Sequence, residues 1–120
     1  MSQHSIPPLL LVRSPHGGTR ECEIRRTPFT IGRKPDNDLC LEDPAVSAHH
    51  ARIVQVQGVL FLEDLSSTNG SFVNEHPIDR RQLQDADALR FGTHRVIFRE
   101  KPGLAAEPII PADMLVADKT

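Results

Sequence analysis

The chain has 120 residues, room for one domain of ordinary size. Fourteen basic residues against sixteen acidic give a net charge of −2. That balance lacks the basic excess of a nucleic-acid module, and no apolar run approaches the ~18 residues of a membrane span. Two cysteines, Cys22 and Cys40, are too few for a disulfide scaffold. Residues Met1–Pro8 lack the basic and then apolar segments of a secretory signal, so a reducing cytoplasm is the expected compartment.

Ten prolines, seven glycines and the absence of a long helical pattern predict short strands, many turns and negligible helix. In chain order the predicted strands are Leu9–Arg13, Arg20–Arg25, Phe29–Ile31, Leu39–Leu41, Ala51–Val56, Val59–Leu62, Ser71–Val73, Ala88–Phe91 and His94–Arg99. Ala51, Ile53, Val54 and Val56 interleave with Arg52, Gln55 and Gln57, as in a half-buried strand. Val96 and Phe98 share a core face in the last strand, while Arg95, Ile97 and Arg99 take the other. Gln57-Gly58 and Gly92-Thr93 have the spacing of two-residue hairpin turns. Short strands joined by polar turns make an antiparallel β-sandwich the expected fold. Residues 1–8 show no usable periodicity. After Arg99 the run EKPGLAAEPIIPADMLVADKT holds three prolines. Residues 100–120 are therefore expected to leave the sandwich and to be partly mobile. Their apolar pieces, Ile109-Ile110 and Met114-Leu115-Val116, are candidates for docking on the domain or on a partner. The expected organisation is a tail at 1–8, a domain at 9–99 and a tail at 100–120.

Three turn segments carry more chemistry than turns need. In Thr30-Ile31-Gly32-Arg33 a strand ends in glycine and then presents an arginine, whose planar fork of donors suits a phosphate or carboxylate. By itself Arg33 reads equally well as a solvated loop cation. Asp43-Pro44-Ala45-Val46-Ser47-Ala48-His49-His50 sets a serine three residues before a histidine at a strand entrance. Ser47 can donate to an anionic oxygen. His50 reads as a buried imidazole bonding loop backbone, and His49 as solvent-facing. Ser66-Ser67-Thr68-Asn69-Gly70 places four hydroxyl or amide side chains before a glycine free to take positive φ.

The ordered set of Gly32-Arg33, Ser47-x-x-His50, Ser67-Thr68-Asn69-Gly70 and Asn74 resembles the forkhead-associated (FHA) domain, in a small single-domain protein of bacterial type. Asn37-Asp38-x-x-Leu41 and Asp64-Leu65 fit the same pattern, and the resemblance runs from about Leu9 to Arg99. It implies an all-β, two-sheet antiparallel sandwich of about 11 strands whose loops at one end bind phosphothreonine. It also implies roles. Arg33 and Ser47 contact the phosphate, Thr68 helps to bind it, and Asn69 holds the ligand's main chain. Gly32, His50 and Gly70 shape the loops, and Asn74 ties strands or loops together. The implied partner is a threonine-phosphorylated protein of a Ser/Thr kinase pathway, captured by an adaptor without a cofactor, a nucleic acid or a membrane.

Two positions depart from the family pattern. Many FHA domains have arginine or asparagine after the motif serine, where this chain has Ala48; His49 and Lys34 are the candidates to compensate. Ala86, in Leu83-Gln84-Asp85-Ala86-Asp87, replaces a typical glycine. A phosphate-independent interaction or self-association domain is the alternative reading. A Ser/His hydrolase is a remote one, because no Gly-x-Ser-x-Gly elbow and no P-loop is present. His49, His50 and Cys40 match no zinc spacing.

Overall fold

Alternating side chains divide most strands into an inward apolar face and an outward polar one. The inward faces of two sheets meet in a single core. The computed structural model describes residues 6–100, so the mobility expected of the C-terminal tail and the docking of its apolar pieces lie outside the described residues. Eleven strands follow in order: β1 (Leu9–Arg13), β2 (Thr19–Glu23), β3 (Phe29–Gly32), β4 (Leu39–Cys40), β5 (Ala51–Val56), β6 (Val59–Asp64), β7 (Ser71–Val73), β8 (His76–Ile78), β9 (Arg80–Gln82), β10 (Ala88–Phe91) and β11 (His94–Arg99). None of the described residues is helical. No helix among them is long and apolar enough to cross a membrane.

One sheet runs β2-β1-β11-β10-β7-β8 and the other β4-β3-β5-β6-β9. The pairings are antiparallel except that of β3 with the two-residue β4, which is parallel. The sandwich expected from the sequence is present, with that one parallel pair added. Leu10, Val12, Val73, Leu89, Phe91, Val96 and Phe98 from the first sheet pack on Ile31, Leu39, Ala51, Ile53 and Leu62 from the second. Burying a side chain of this kind contributes roughly 1.5–3 kcal/mol.

β8 and β9 were not expected from the sequence. Each has only three residues; β9 is wholly polar, and β8 contains Pro77. They form because β7 and β6 offer open edges. A proline is tolerated in β8 because that strand is itself the sheet edge. The two expected hairpin turns are present, with Gln57 at φ 53° and Gly58 at φ 79° in one, and Gly92 at φ 60° in the other. Cys22 and Cys40 are free, half-buried thiols on strands of different sheets.

Candidate functional site

The loops β3–β4, β4–β5 and β6–β7 gather at one end of the sandwich, beside the β10–β11 turn. Arg33 opens the first of them. Its backbone N–H donates to the Ser47 carbonyl at 2.9 Å. Its Nε donates to the Val46 carbonyl at 3.1 Å. That bond fixes the guanidinium plane and leaves the terminal nitrogens for a ligand. Gly32 precedes it because the chains nearly touch there: a Cβ would fall 2.2 Å from the Ala48 carbonyl oxygen and 2.7 Å from Asn37 Nδ2. The Asn37 amide holds this contact, donating to the carbonyls of Lys34 and Ala48 at 2.8 and 2.9 Å.

Ser47 is half-buried in the second loop. Its hydroxyl oxygen accepts the Thr68 N–H at 3.0 Å, which joins the second loop to the third. The Ser47 and Thr68 hydroxyls lie 3.5 Å apart, too far for a strong bond, so a hydroxyl proton is free to turn to an anion. Asn69 Nδ2 donates to the Ala45 carbonyl at 2.8 Å, which assigns the amide orientation. Arg33, Ser47, Thr68 and Asn69 line one shallow cleft of about 270 Å³ together with Pro44, Ala45, Val46 and Ala48.

His50 is fully buried beneath this cleft. Its Nδ1 accepts the Ser47 N–H at 3.0 Å, and its Nε2 faces the Gly70 carbonyl at 2.8 Å. Gly70 sits at φ 88°, where a side chain is strained. His49 is exposed and pairs with Asp36 at 3.2 Å, so neither it nor Lys34 lines the cleft. Asn74 stands apart from the other residues in the set, at the far end of β7. Its Nδ2 donates to Asp87 at 2.9 Å, and its Oδ1 accepts the Ala88 N–H at 3.0 Å. It thus ties the β7–β8 turn to the entrance of β10.

Two aspartates that sequence reasoning left unassigned brace the loops. Asp64 Oδ1 accepts the hydroxyls of Ser67 and Ser71 at 2.6 and 2.7 Å, and Oδ2 accepts the Ser67 N–H at 3.1 Å. Burial would raise its pKa, but those bonds outweigh it and hold it below the usual range. Ser67 Oγ in turn accepts the Gly70 N–H at 2.9 Å, so this serine is spent on shaping the loop. Asp43, only 5% exposed, links the second loop to the β10–β11 turn. Its Oδ1 accepts the Ala45 N–H at 2.8 Å. Its Oδ2 accepts the Thr93 N–H at 2.8 Å and hydroxyl at 2.5 Å, and lies 3.2 Å from His94 Nδ1. Here too burial raises the pKa, and the donors outweigh it, holding the carboxyl well below the ordinary carboxylate range. The only available sequence signal was an aspartate before proline at a loop start, a pattern shared by many turns. Among the described residues no cluster of three or more His, Cys, Asp or Glu side chains is arranged to hold a metal.

The FHA domain family profile matches residues 29–92. An oxoglutarate dehydrogenase inhibitor of Corynebacterium diphtheriae is 35% identical over 94 residues, covering 78% of this chain and 65% of that protein. The chain spans less than two thirds of the length of the curated relatives it first matches. The FhaA FHA domain, solved in complex with the intracellular domain of Rv3910, is 36% identical with a TM-score of 0.70, over 77% of this chain and 99% of that one. Mycobacterium tuberculosis EmbR, solved with a low-affinity phosphopeptide, is 31% identical with a TM-score of 0.69, over 78% of this chain and 24% of that one. With more than half of its length inside the profile and its β-sandwich shared with these structures, the chain belongs to the FHA domain family.

Proposed function

We propose that this chain is a non-catalytic adaptor that binds phosphothreonine-containing peptides and so recruits partners modified by a Ser/Thr kinase, in the cytoplasm. The observation that carries the reading is the convergence of Arg33, Ser47, Thr68 and Asn69 on one cleft. A phosphothreonine brings about −1.5 to −2 charges and three acceptor oxygens. The free guanidinium nitrogens of Arg33 and the hydroxyls of Ser47 and Thr68 supply donors for them, and Asn69 stands beside them for the peptide backbone. Hydrogen bonds to a charged group contribute roughly 1.5–3 kcal/mol each, enough for recognition centred on the phosphate.

The bonding of His50 favours a binding role over a hydrolytic one. A serine nucleophile needs its hydroxyl on the base. Here both imidazole nitrogens face backbone groups, the Ser47 N–H and the Gly70 carbonyl. The phosphopeptide bound to EmbR supports the ligand class, and the inhibitor name of the corynebacterial relative supports a regulatory role.

The test is a titration with degenerate phosphothreonine peptides beside their phosphoserine and unphosphorylated counterparts. Binding confined to phosphothreonine, and lost in Arg33→Ala, is the expected result. Equal binding to all three libraries would refute the reading in favour of a phosphate-independent interaction domain.

A further inference from the structure

The outer face of the six-stranded sheet carries a charge pattern that the phosphate-binding loops do not use. Strand alternation turns Leu11 and Arg13 of β1 outward, together with Arg95 and Ile97 of β11. The register sets Leu11 opposite Ile97 and Arg13 opposite Arg95, and Arg95 in turn opposite Arg90 of β10. Three guanidiniums therefore stand in one row across adjacent strands, an arrangement in which like charges destabilise a sheet. Arg90 is compensated by Glu75 at 3.1 Å and by the Phe72 ring at 4.1 Å. Arg13 and Arg95 have no ion-pair partner among the described residues. Leu11 and Ile97, both half-buried, line a depression of about 710 Å³ together with Arg13, Arg95 and, on β2, Arg20 and Glu21.

An occupant of this face has to be acidic and aliphatic. A second copy related by two-fold symmetry would set one arginine row against the other. Residues 107–118, EPIIPADMLVAD, carry three carboxylates, five large aliphatic side chains and no basic residue. β11, the last strand among the described residues, belongs to this same sheet and ends at Arg99. Arg95 lies four residues back along that strand, about 13 Å. Residues 101–106 span at most about 20 Å when extended, enough for the return. We propose that residues 107–118 dock on the outer face of β2-β1-β11, with aliphatic side chains on Leu11 and Ile97 and carboxylates beside Arg13 and Arg95.

The test uses the full chain. With Cys22→Ser and Cys40→Ser, a nitroxide on Lys119→Cys should broaden the methyl resonances of Leu11 and Ile97 and leave that of Val54, on the other sheet, sharp. The broadening should persist when the labelled chain is diluted into unlabelled chain, and it should vanish with Arg13→Glu and Arg95→Glu. Absence of broadening overturns the proposal and leaves the face to an acidic partner. Broadening centred on the Arg33 cleft, or lost on dilution, overturns it as well. In the chain with native cysteines, Asp113→Lys with Asp118→Lys should shift the Arg13 and Arg95 amide resonances, and unchanged spectra would count against the docking.

Discussion

The Ser47 N–H donates to Nδ1 of His50, three residues along the same loop, at 3.0 Å. Because Nδ1 accepts, the ring proton resides on Nε2, which donates to the Gly70 carbonyl in another loop. The ring stands edge-on to Phe91, at 5.6 Å between centroids and an interplanar angle of 83°, so the core fixes its plane. One neutral imidazole thus sets the spacing between the serine loop and the Asn-Gly loop. His50→Ala leaves two half-buried backbone groups without their imidazole partner and opens a cavity, a loss of about 3 kcal/mol. Denaturant titration should show that loss, and phosphopeptide affinity should fall by about tenfold or more, equal to at least 1.4 kcal/mol. His50→Gln, which offers both an acceptor and a donor, should recover part of each.

Gly32→Ala tests the close approach on the other side of the cleft. Its Cβ would meet the Ala48 carbonyl oxygen at 2.2 Å, a backbone atom that cannot swing aside. Separating β3 from the β4–β5 loop there also breaks the Asn37 amide bridge. A loss of about 3 kcal/mol in unfolding free energy is expected, at the upper end for overpacking. A variant of wild-type stability would mean that the loop opens without cost.

How much of this was legible in the sequence depends on the kind of residue. Arg33, Ser47, Thr68 and Asn69 stand in short motifs whose order is distinctive, and the cleft contains all four. Core strands such as β5 and β11 show alternation that only a half-buried sheet explains. β8 and β9 do not, because three residues are too short a run to show a period and their pairing comes from the neighbouring strands. Asp43 was hidden as well, whereas Asp64-Leu65 stood in the motif pattern without its bracing role being readable. Asp43's partner Thr93 is fifty residues away, and no local pattern announces a contact of that separation.

Arg33→Lys separates charge from geometry. Lysine keeps the positive charge but has no Nε–H, so it cannot both hold the Val46 carbonyl and present a fork to phosphate. The expected cost is about 2 kcal/mol of binding free energy, or roughly 30-fold in Kd. Thermal stability should change little, because the side chain is exposed. Peptide titration of the two proteins reads this directly, and equal affinity would show that charge alone suffices.

Ala86 is held at φ 72°, a left-handed conformation that costs an L-residue about 1–2 kcal/mol. The β9–β10 loop keeps it there through the Ala86 N–H to Phe98 carbonyl bond at 2.7 Å and the Gln84 N–H to Asp87 carboxylate bond at 2.8 Å. Ala86→Gly should therefore stabilise the fold by about 1 kcal/mol. The midpoint of a urea titration should rise with an unchanged slope. Phosphopeptide affinity should stay the same, since this loop lies away from the cleft.

Asp43 predicts how the fold responds to acid. Its carboxylate is 5% exposed and receives the Thr93 hydroxyl and N–H, the Ala45 N–H and a bond with His94, which together outweigh the effect of burial and depress its pKa. In the unfolded chain an aspartate titrates near about 3.9. The folded state therefore binds fewer protons than the unfolded one between the two values, and stability rises with pH across that window. The contribution of Asp43 is fully present above about pH 4 and is lost as the pH falls through the folded value. Asp38, Asp64 and Asp85 are depressed as well, so the total acid slope has several sources. Asp43→Asn isolates one of them. It should be less stable than wild type at neutral pH, and the difference should shrink as the pH is lowered below about 4. Urea midpoints of both proteins measured from neutral pH down to acid give that difference, and a gap independent of pH would mean that the Asp43 charge adds nothing beyond the shape of its side chain.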